Sequence, residues 1–292
     1  MINLEKNNFC FCTLTVGKRY RTHAFDLAKD IEKHSPGTAF VVLTDKPQDF
    51  RDYPNVLAFK HQQQSVGGYH DKRFVISKSL SMFNSCIFMD ADMRILSQVS
   101  PNLKLLPGIT ARSCARIIKH NQGIKNIQAR EREVKIINNV AKKLNLNLEE
   151  DKNIFFIHEF LFTVTRDCGR ESEFLNYWDK IAFYFELNKF YIGEGNAMGL
   201  AAAKAGFPVR HDTMDGFDFF KDTIEKVRIQ KGEAEPNEKL VYFERHKMLE
   251  YPNRSLLSKI WGKLGIGKFF RKAYPSLRLI IVTLKDFNFY YR

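Results

Sequence analysis

The sequence predicts an α/β protein: a mostly parallel sheet flanked by helices, extended at its C-terminus by a basic helical segment. Three observations carry this. Strand-like and helix-like segments alternate through the first third of the chain, the order of a βαβ polypeptide. The strand-like runs at residues 39–44 and 85–89 are continuously apolar rather than alternating, as in strands covered on both faces. The second of these runs ends abruptly in Asp90 and Asp92, one residue apart, and strand ends are where open α/β sheets bind ligands.

Taken in order, residues 9–16 alternate with β-rich side chains and read as the first strand. Gly17-Lys18-Arg19-Tyr20 closes it with a basic, glycine-led loop. A helix over 22–33 follows, with Phe25, Leu27, Ala28 and Ile31 on its apolar side. Pro36-Gly37 turns the chain into the second strand, 39–44, which Asp45-Lys46-Pro47 stops. Residues 56–59 form a short third strand. The polar stretch 62–70, carrying Gly67-Gly68, is a loop, and 71–82 is a helix flanked by Lys72, Arg73 and Lys78. The fourth strand then runs into Asp90.

Beyond it, 108–114 reads as a strand and 126–144 as a helix, with Val134, Ile137, Val140, Ala141 and Leu144 at helical spacing. Residues 154–164 are strand pieces that re-enter the core, and 171–189 is an amphipathic helix centred on Trp178. Residues 191–196, with Gly193-Glu194-Gly195-Asn196, read as a tight polar loop before a small-residue helix that begins at Ala197. Residues 207–212 are a last core strand.

Composition narrows the classes. Hydrophobic residues are 44% and charged residues 27% of the 292, which suits a globular chain rather than a disordered one. No apolar stretch approaches the roughly 20 residues of a membrane span, and the N-terminus lacks the apolar core of a signal peptide. The 5 cysteines are odd in number and scattered, so reduced core thiols and a cytoplasmic location are expected. Cys10 and Cys12 share a strand face with no second pair at zinc spacing, and packing explains them best. Net charge is +13, and it is concentrated: residues 245–292 hold 11 Lys and Arg against 2 acids. From Ser255 onward Leu256, Leu257, Ile260, Trp261, Leu264 and Phe269 alternate with Lys259, Lys263, Lys268, Arg271 and Lys272. Such a segment either lies on an anionic membrane surface, as a peripheral inner-face attachment, or docks on the domain with its basic face in water. No nucleic-acid-binding module is recognisable, so no nucleic-acid partner is expected.

In an extended chain residues i and i+2 point to one face about 7 Å apart, so Asp90 and Asp92 aim two carboxylates at one place. Uncompensated, they raise each other's pKa, and a hard divalent cation such as Mg2+ or Mn2+ relieves that. In a doubly wound sheet Thr13 and Val16, Asp45, and Asp90 with Asp92 would line one crevice. Two other readings of the pair are a solvated turn and a phosphatase nucleophile. The second usually follows the first strand of a chain, whereas here the pair comes after the fourth and continues Met93-Arg94.

One α/β domain, Asp90-Ala91-Asp92 after an apolar strand, a basic helix before it and a strand–helix–polar loop after it resemble a glycosyltransferase of the GT-A fold (Rossmann-like, nucleotide-diphospho-sugar transferase). The likeness is to retaining enzymes of the blood-group transferase and glycogenin types, and it covers residues 9–212. It implies a nucleotide-sugar donor, foremost a UDP-sugar, with Mn2+ or Mg2+ bridging Asp90 or Asp92 to the diphosphate. The candidate donor-binding residues are Thr13, Val16, Tyr20, Asp45, Lys72, Arg73, Lys78, Asp90 and Ala91, the basic three adding to the clamp on the diphosphate. Glu194 corresponds by layout to the acidic residue facing the reacting sugar carbon. His158 and Glu159 begin the acceptor-side wall. His211 is the candidate third metal ligand and His246 a weaker one.

The expected activity is therefore hexose transfer to a glycan or lipid-linked acceptor, in surface polysaccharide or lipopolysaccharide synthesis. The expected organisation is a transferase domain at 1–250, its nucleotide part at 1–100 and acceptor part at 101–250, followed by the basic extension at 251–292. Two alternatives stay open: a nucleotidyltransferase that makes nucleotide sugars, and a non-catalytic membrane-associated binding protein. Against the first, Gly17-Lys18-Arg19-Tyr20 lacks a glycine-rich phosphate cradle.

Overall fold

The computed structural model describes residues 8–100, 103–123, 126–151, 153–251 and 266–292, the side chains of the last segment from 273 onward. In chain order the elements are β1 (Phe9–Thr15), α1 (Lys18–His34), β2 (Phe40–Thr44), β3 (Val56–Lys60), α2 (Lys72–Leu80), β4 (Ser85–Met89), β5 (Arg94–Ile95), β6 (Gly108–Ala111) and β7 (Cys114–Arg116). They continue with α3 (Ile117–Gln122), α4 (Ile127–Lys143), β8 (Phe155–Ile157), β9 (Leu161–Thr165), α5 (Arg170–Leu187), α6 (Glu194–Lys204), β10 (Val209–His211), β11 (Phe219–Phe220), α7 (Asp222–Gln230) and α8 (Leu240–Glu250). A helix, Ile266–Leu284, and a short one, Phe287–Tyr291, complete the chain. The expected 255–264 part of the basic extension lies outside the described residues.

The fold is mixed α/β with mostly parallel strands, and it divides into two compact units. The first holds residues 1–62, 89–103 and 214–270. In it β1, β2 and β3 are parallel and adjacent in that order, with Phe11 opposite Phe40 and Val42 opposite Ala58. Phe11, Cys12, Leu27, Ile31, Val41 and Val42 form its core, so Cys10 and Cys12 are indeed packing residues. Helix α1 starts four residues earlier than its apolar pattern suggests. Gly17, at φ +96, lets the chain leave β1 and turn directly into it, and its carbonyl accepts from Arg21 N. The short ribbon of β5 and β11 is antiparallel, with Phe220 opposite Arg94.

The second unit holds residues 63–88, 104–213 and 271–292. Its strands run in the order β10-β6-β9-β4, with β10 parallel to β6 and β6 antiparallel to β9. Trp178, Phe174 and Phe185 of α5 are fully buried. Helix α6 lies against β8 at backbone distance. A Cβ on Gly199 would fall 1.5 Å from the Phe155 carbonyl oxygen, and one on Gly195 2.4 Å from that of Ile157. The expected single strand at 108–114 is broken into β6 and β7, which pair with β9 and β8 respectively. The expected loop at 191–196 is corrected too: α6 begins at Glu194, three residues early, because Gly195 lets the helix close on β8 while Gly193 leaves room for the Phe185 and Phe190 rings.

Candidate functional site

The first unit carries the acid pair. The Thr13 hydroxyl donates to the carbonyl of Met89 (2.7 Å), the last residue of β4, and so fixes the place where the chain leaves the strand. The chain does not stay extended past it. Met93 N donates to the Asp90 carbonyl (3.0 Å), so Asp90-Ala91-Asp92 is a turn rather than a strand end, with Ala91 buried inside it. Both carboxylates still reach one point, and a lysine occupies it. Lys221 Nζ lies 2.7 Å from Asp92 Oδ1 and 3.1 Å from Asp90 Oδ2. The β5/β11 ribbon puts it there: pairing Phe220 with Arg94 brings the next residue of that strand back beside the turn.

On the far side of Asp92, His246 Nε2 stands 3.7 Å from Oδ2. The His246 and His23 rings are 5.4 Å apart, and His23 Nε2 is 3.2 Å from Glu250 Oε1, whose other oxygen meets Arg19 at 3.0 Å. His23, His246 and Glu250 each offer one ligand atom, all within 4.8 Å of one another, a grouping able to hold a metal ion. The electrostatics follow from this order. Burial works against a charge on Asp92, but His246 and Lys221 outweigh it and hold the carboxyl well below the ordinary range. The Asp92 carboxylate raises His246. Burial lowers His23. Burial also disfavours the Lys221 ammonium, but Asp90 and Asp92 prevail and raise it.

Asp45 stops β2 as expected. Its Oδ1 accepts from Gly17 N (3.0 Å) and Arg21 Nη1 (2.5 Å), while Arg21 Nε reaches Asp49 (2.8 Å). Burial is outweighed by these donors, and the Asp45 carboxyl is lowered. Val16 is half-buried, and Tyr20 is exposed with its hydroxyl accepting from Arg19 Nη2 at 2.6 Å.

The second unit carries the other candidates. Lys72 and Glu194 are 8% and 2% exposed, and Lys72 Nζ lies 3.6 Å from Glu194 Oε1 and 3.1 Å from the Glu159 carbonyl. Glu159 Oε2 is buried without a hydrogen-bond partner among the described residues. His158 stands edge-on to Phe156 (4.8 Å) and His120 (5.5 Å), and burial lowers it. Burial, then His158, takes His120 down to about 4. Arg73 is buried: Nε donates to Asp179 (2.6 Å) and Nη1 to the His70 carbonyl (2.6 Å). Lys78 is half-buried near the end of α2. His211 ends β10 and is exposed.

Of the two histidines proposed as a third ligand, the one beside Asp92 within its own unit is His246. Lys221, His23 and Glu250 are site residues that the sequence does not announce. A lone lysine between Phe220 and Asp222 gives no local signal, and only the pairing of β11 with β5 locates it. The acid pair as it stands does not fit a divalent ion, because its two nearest oxygens share one buried ammonium.

No family model matches the sequence, and no curated protein does. Solved structures do match. One is the galactosyltransferase LgtC, in complex with donor and acceptor sugar analogs, which is 13% identical and aligns over 81% of this chain and 82% of that one with a TM-score of 0.48.

Proposed function

We propose that the protein is a glycosyltransferase that moves a hexose from a nucleotide-diphosphate sugar, foremost a UDP-sugar, onto a glycan or lipid-linked acceptor of surface polysaccharide or lipopolysaccharide assembly. The observation that carries this is the first unit's acid pair. It leaves the end of β4 in a turn anchored to β1 through Thr13, where parallel sheets bind nucleotides. The strand-end neighbours Val16, Tyr20 and Asp45 belong to the same donor-binding proposal.

Within the second unit, Glu194 is the carboxylate proposed to face the reacting carbon. A buried carboxylate stabilises an oxocarbenium-like centre far better than one in water, and that suits a retaining transfer. Lys72 stands beside Glu194 as its counter-charge. His158 and Glu159 are proposed on the acceptor side, where the orphan Glu159 oxygen takes a sugar hydroxyl.

The C-terminal helix supports a peripheral attachment to an anionic membrane. Its Leu279 packs with Val66 and Phe183, while Leu277, Ile280, Ile281 and Leu284 form an exposed apolar face. No helix among the described residues is long and apolar enough to cross a membrane.

The test is to incubate the protein with a panel of nucleotide sugars and lipid-linked or soluble glycan acceptors and to follow product mass. Gain of one hexose by the acceptor with release of a nucleoside diphosphate is expected. Release of pyrophosphate from a sugar phosphate and a nucleoside triphosphate would instead identify the nucleotidyltransferase.

A further inference from the structure

The cation position of the acid pair is already filled by the chain itself. Lys221 Nζ bridges Asp92 Oδ1 (2.7 Å) and Asp90 Oδ2 (3.1 Å), and its side chain is only 12% exposed. The lysine is not a drifting surface group. Its backbone follows directly on the β5/β11 ribbon, and Arg94, the cation nearest in sequence to the pair, is engaged by Asp30 at 2.5 and 2.8 Å. The remaining Asp92 oxygen faces His246. An ion with Mn2+ or Mg2+ geometry needs carboxylate oxygens at about 2.1 Å and would compete with the ammonium for the same two carboxylates. Bound there, it would stand beside an ammonium that both carboxylates already hold.

We propose that Lys221 is the resident cation of the Asp90–Asp92 pair, in place of a divalent metal ion. Asp90 and Asp92 engage two of the ammonium's three N–H groups, and the third is directed to an anionic ligand oxygen, a donor phosphate if the glycosyl-transfer reading holds. Only that last assignment rests on the proposed function. The ion preference of the pair stands without it.

The experiment counts Mn2+ ions bound by the full-length protein, by electron paramagnetic resonance and calorimetry at neutral pH. The quantity read is the number of ions lost on Asp92→Asn, so an ion held by His23, His246 and Glu250 and unaffected by that change does not enter the count. The wild type is expected to lose none up to millimolar Mn2+. Lys221→Ala and Lys221→His, each confirmed as folded by circular dichroism, are expected to gain one ion that Asp92→Asn removes. A wild-type protein holding an Asp92-dependent ion at micromolar Mn2+ overturns the proposal. So does a folded Lys221→Ala and Lys221→His pair that gains none. Because the readout is ion binding, a protein that transfers no sugar still reveals which cation the acid pair holds.

Discussion

His246 Nε2 stands 3.7 Å from Asp92 Oδ2, so a residue in the middle of α8 is held by the carboxylate that also receives Lys221. This pair gives the protein a directional pH response. His246 is raised above 6.5 in the folded state, so its stabilisation is complete below 6.5 and is lost as pH climbs through the raised value. Asp92 is lowered from 3.8, so its contribution is present above 3.8 and is lost as pH falls through the lowered value. Buried His23 acts in the opposite sense, since charging it in acid is unfavourable. The difference between wild type and His246→Gln isolates the pair. That difference in melting temperature should shrink steadily from pH 6 to pH 9, and a difference that grows over that range would contradict the assignment.

Arg73, a candidate donor-binding residue, is tied into its own unit by several polar partners. Its guanidinium is buried and bonded to Asp179 and the His70 carbonyl, and it lies 4.0 Å from buried Asp71. A lysine has no planar fork to serve these partners together. Arg73→Lys should cost about 2 kcal/mol, in the range for lost hydrogen bonds to charged groups. Urea unfolding reads this directly. A variant of unchanged stability with weakened nucleotide binding would return Arg73 to the donor site.

Gly199 is set by the closeness of α6 to β8. Gly199→Ala would place a methyl 1.5 Å from the Phe155 carbonyl oxygen. Overpacking against backbone costs about 3 kcal/mol or more, against about 1 kcal/mol regained from the helix preference for alanine. A net loss of about 2 kcal/mol or more is expected on denaturation, and a stabilised variant would mean that α6 stands off from the strand.

These elements show what the sequence makes legible. The continuous apolar runs of β2 and β4 and the spacing of α4 and α5 are local patterns, and each element lies within a few residues of its expected place. A single strand at 108–114 is not what forms, because one apolar segment serves two different partners, β9 and β8. Glu194 looks like a loop residue in the sequence because its flanking glycines resemble turn formers. Their actual cause is close packing, of Gly195 on β8 and of Gly193 on Phe185 and Phe190, which no local pattern encodes. Asp90 and Asp92 are legible as a pair, but the ammonium between them is not. Lys221 lies 129 residues beyond Asp92, and only strand pairing joins them.

The exposed face of the C-terminal helix gives a separate test. Ile281 and Leu284 are half exposed, so replacing both with glutamate should leave stability within about 0.5 kcal/mol. Sedimentation with vesicles rich in phosphatidylglycerol should drop severalfold for the double variant, and neutral phosphatidylcholine vesicles should retain little of either protein. Equal binding of variant and wild type to the anionic vesicles would remove the membrane assignment.

The function proposed for this chain depends above all on a nucleotide sugar binding through the acid pair. The most direct measurement is the melting temperature across a panel of nucleotide sugars, taken in chelator, with the wild type, Asp92→Asn and Glu194→Gln. At a donor concentration about 100 times its dissociation constant, binding adds about 2.7 kcal/mol, a rise of several degrees. One donor should raise the wild type and Glu194→Gln by that much and leave Asp92→Asn unmoved, with Glu194→Gln reducing turnover at least about 100-fold. If no nucleotide sugar shifts the wild type with or without Mn2+, or if Asp92→Asn shifts as far as the wild type, donor binding at the acid pair is contradicted.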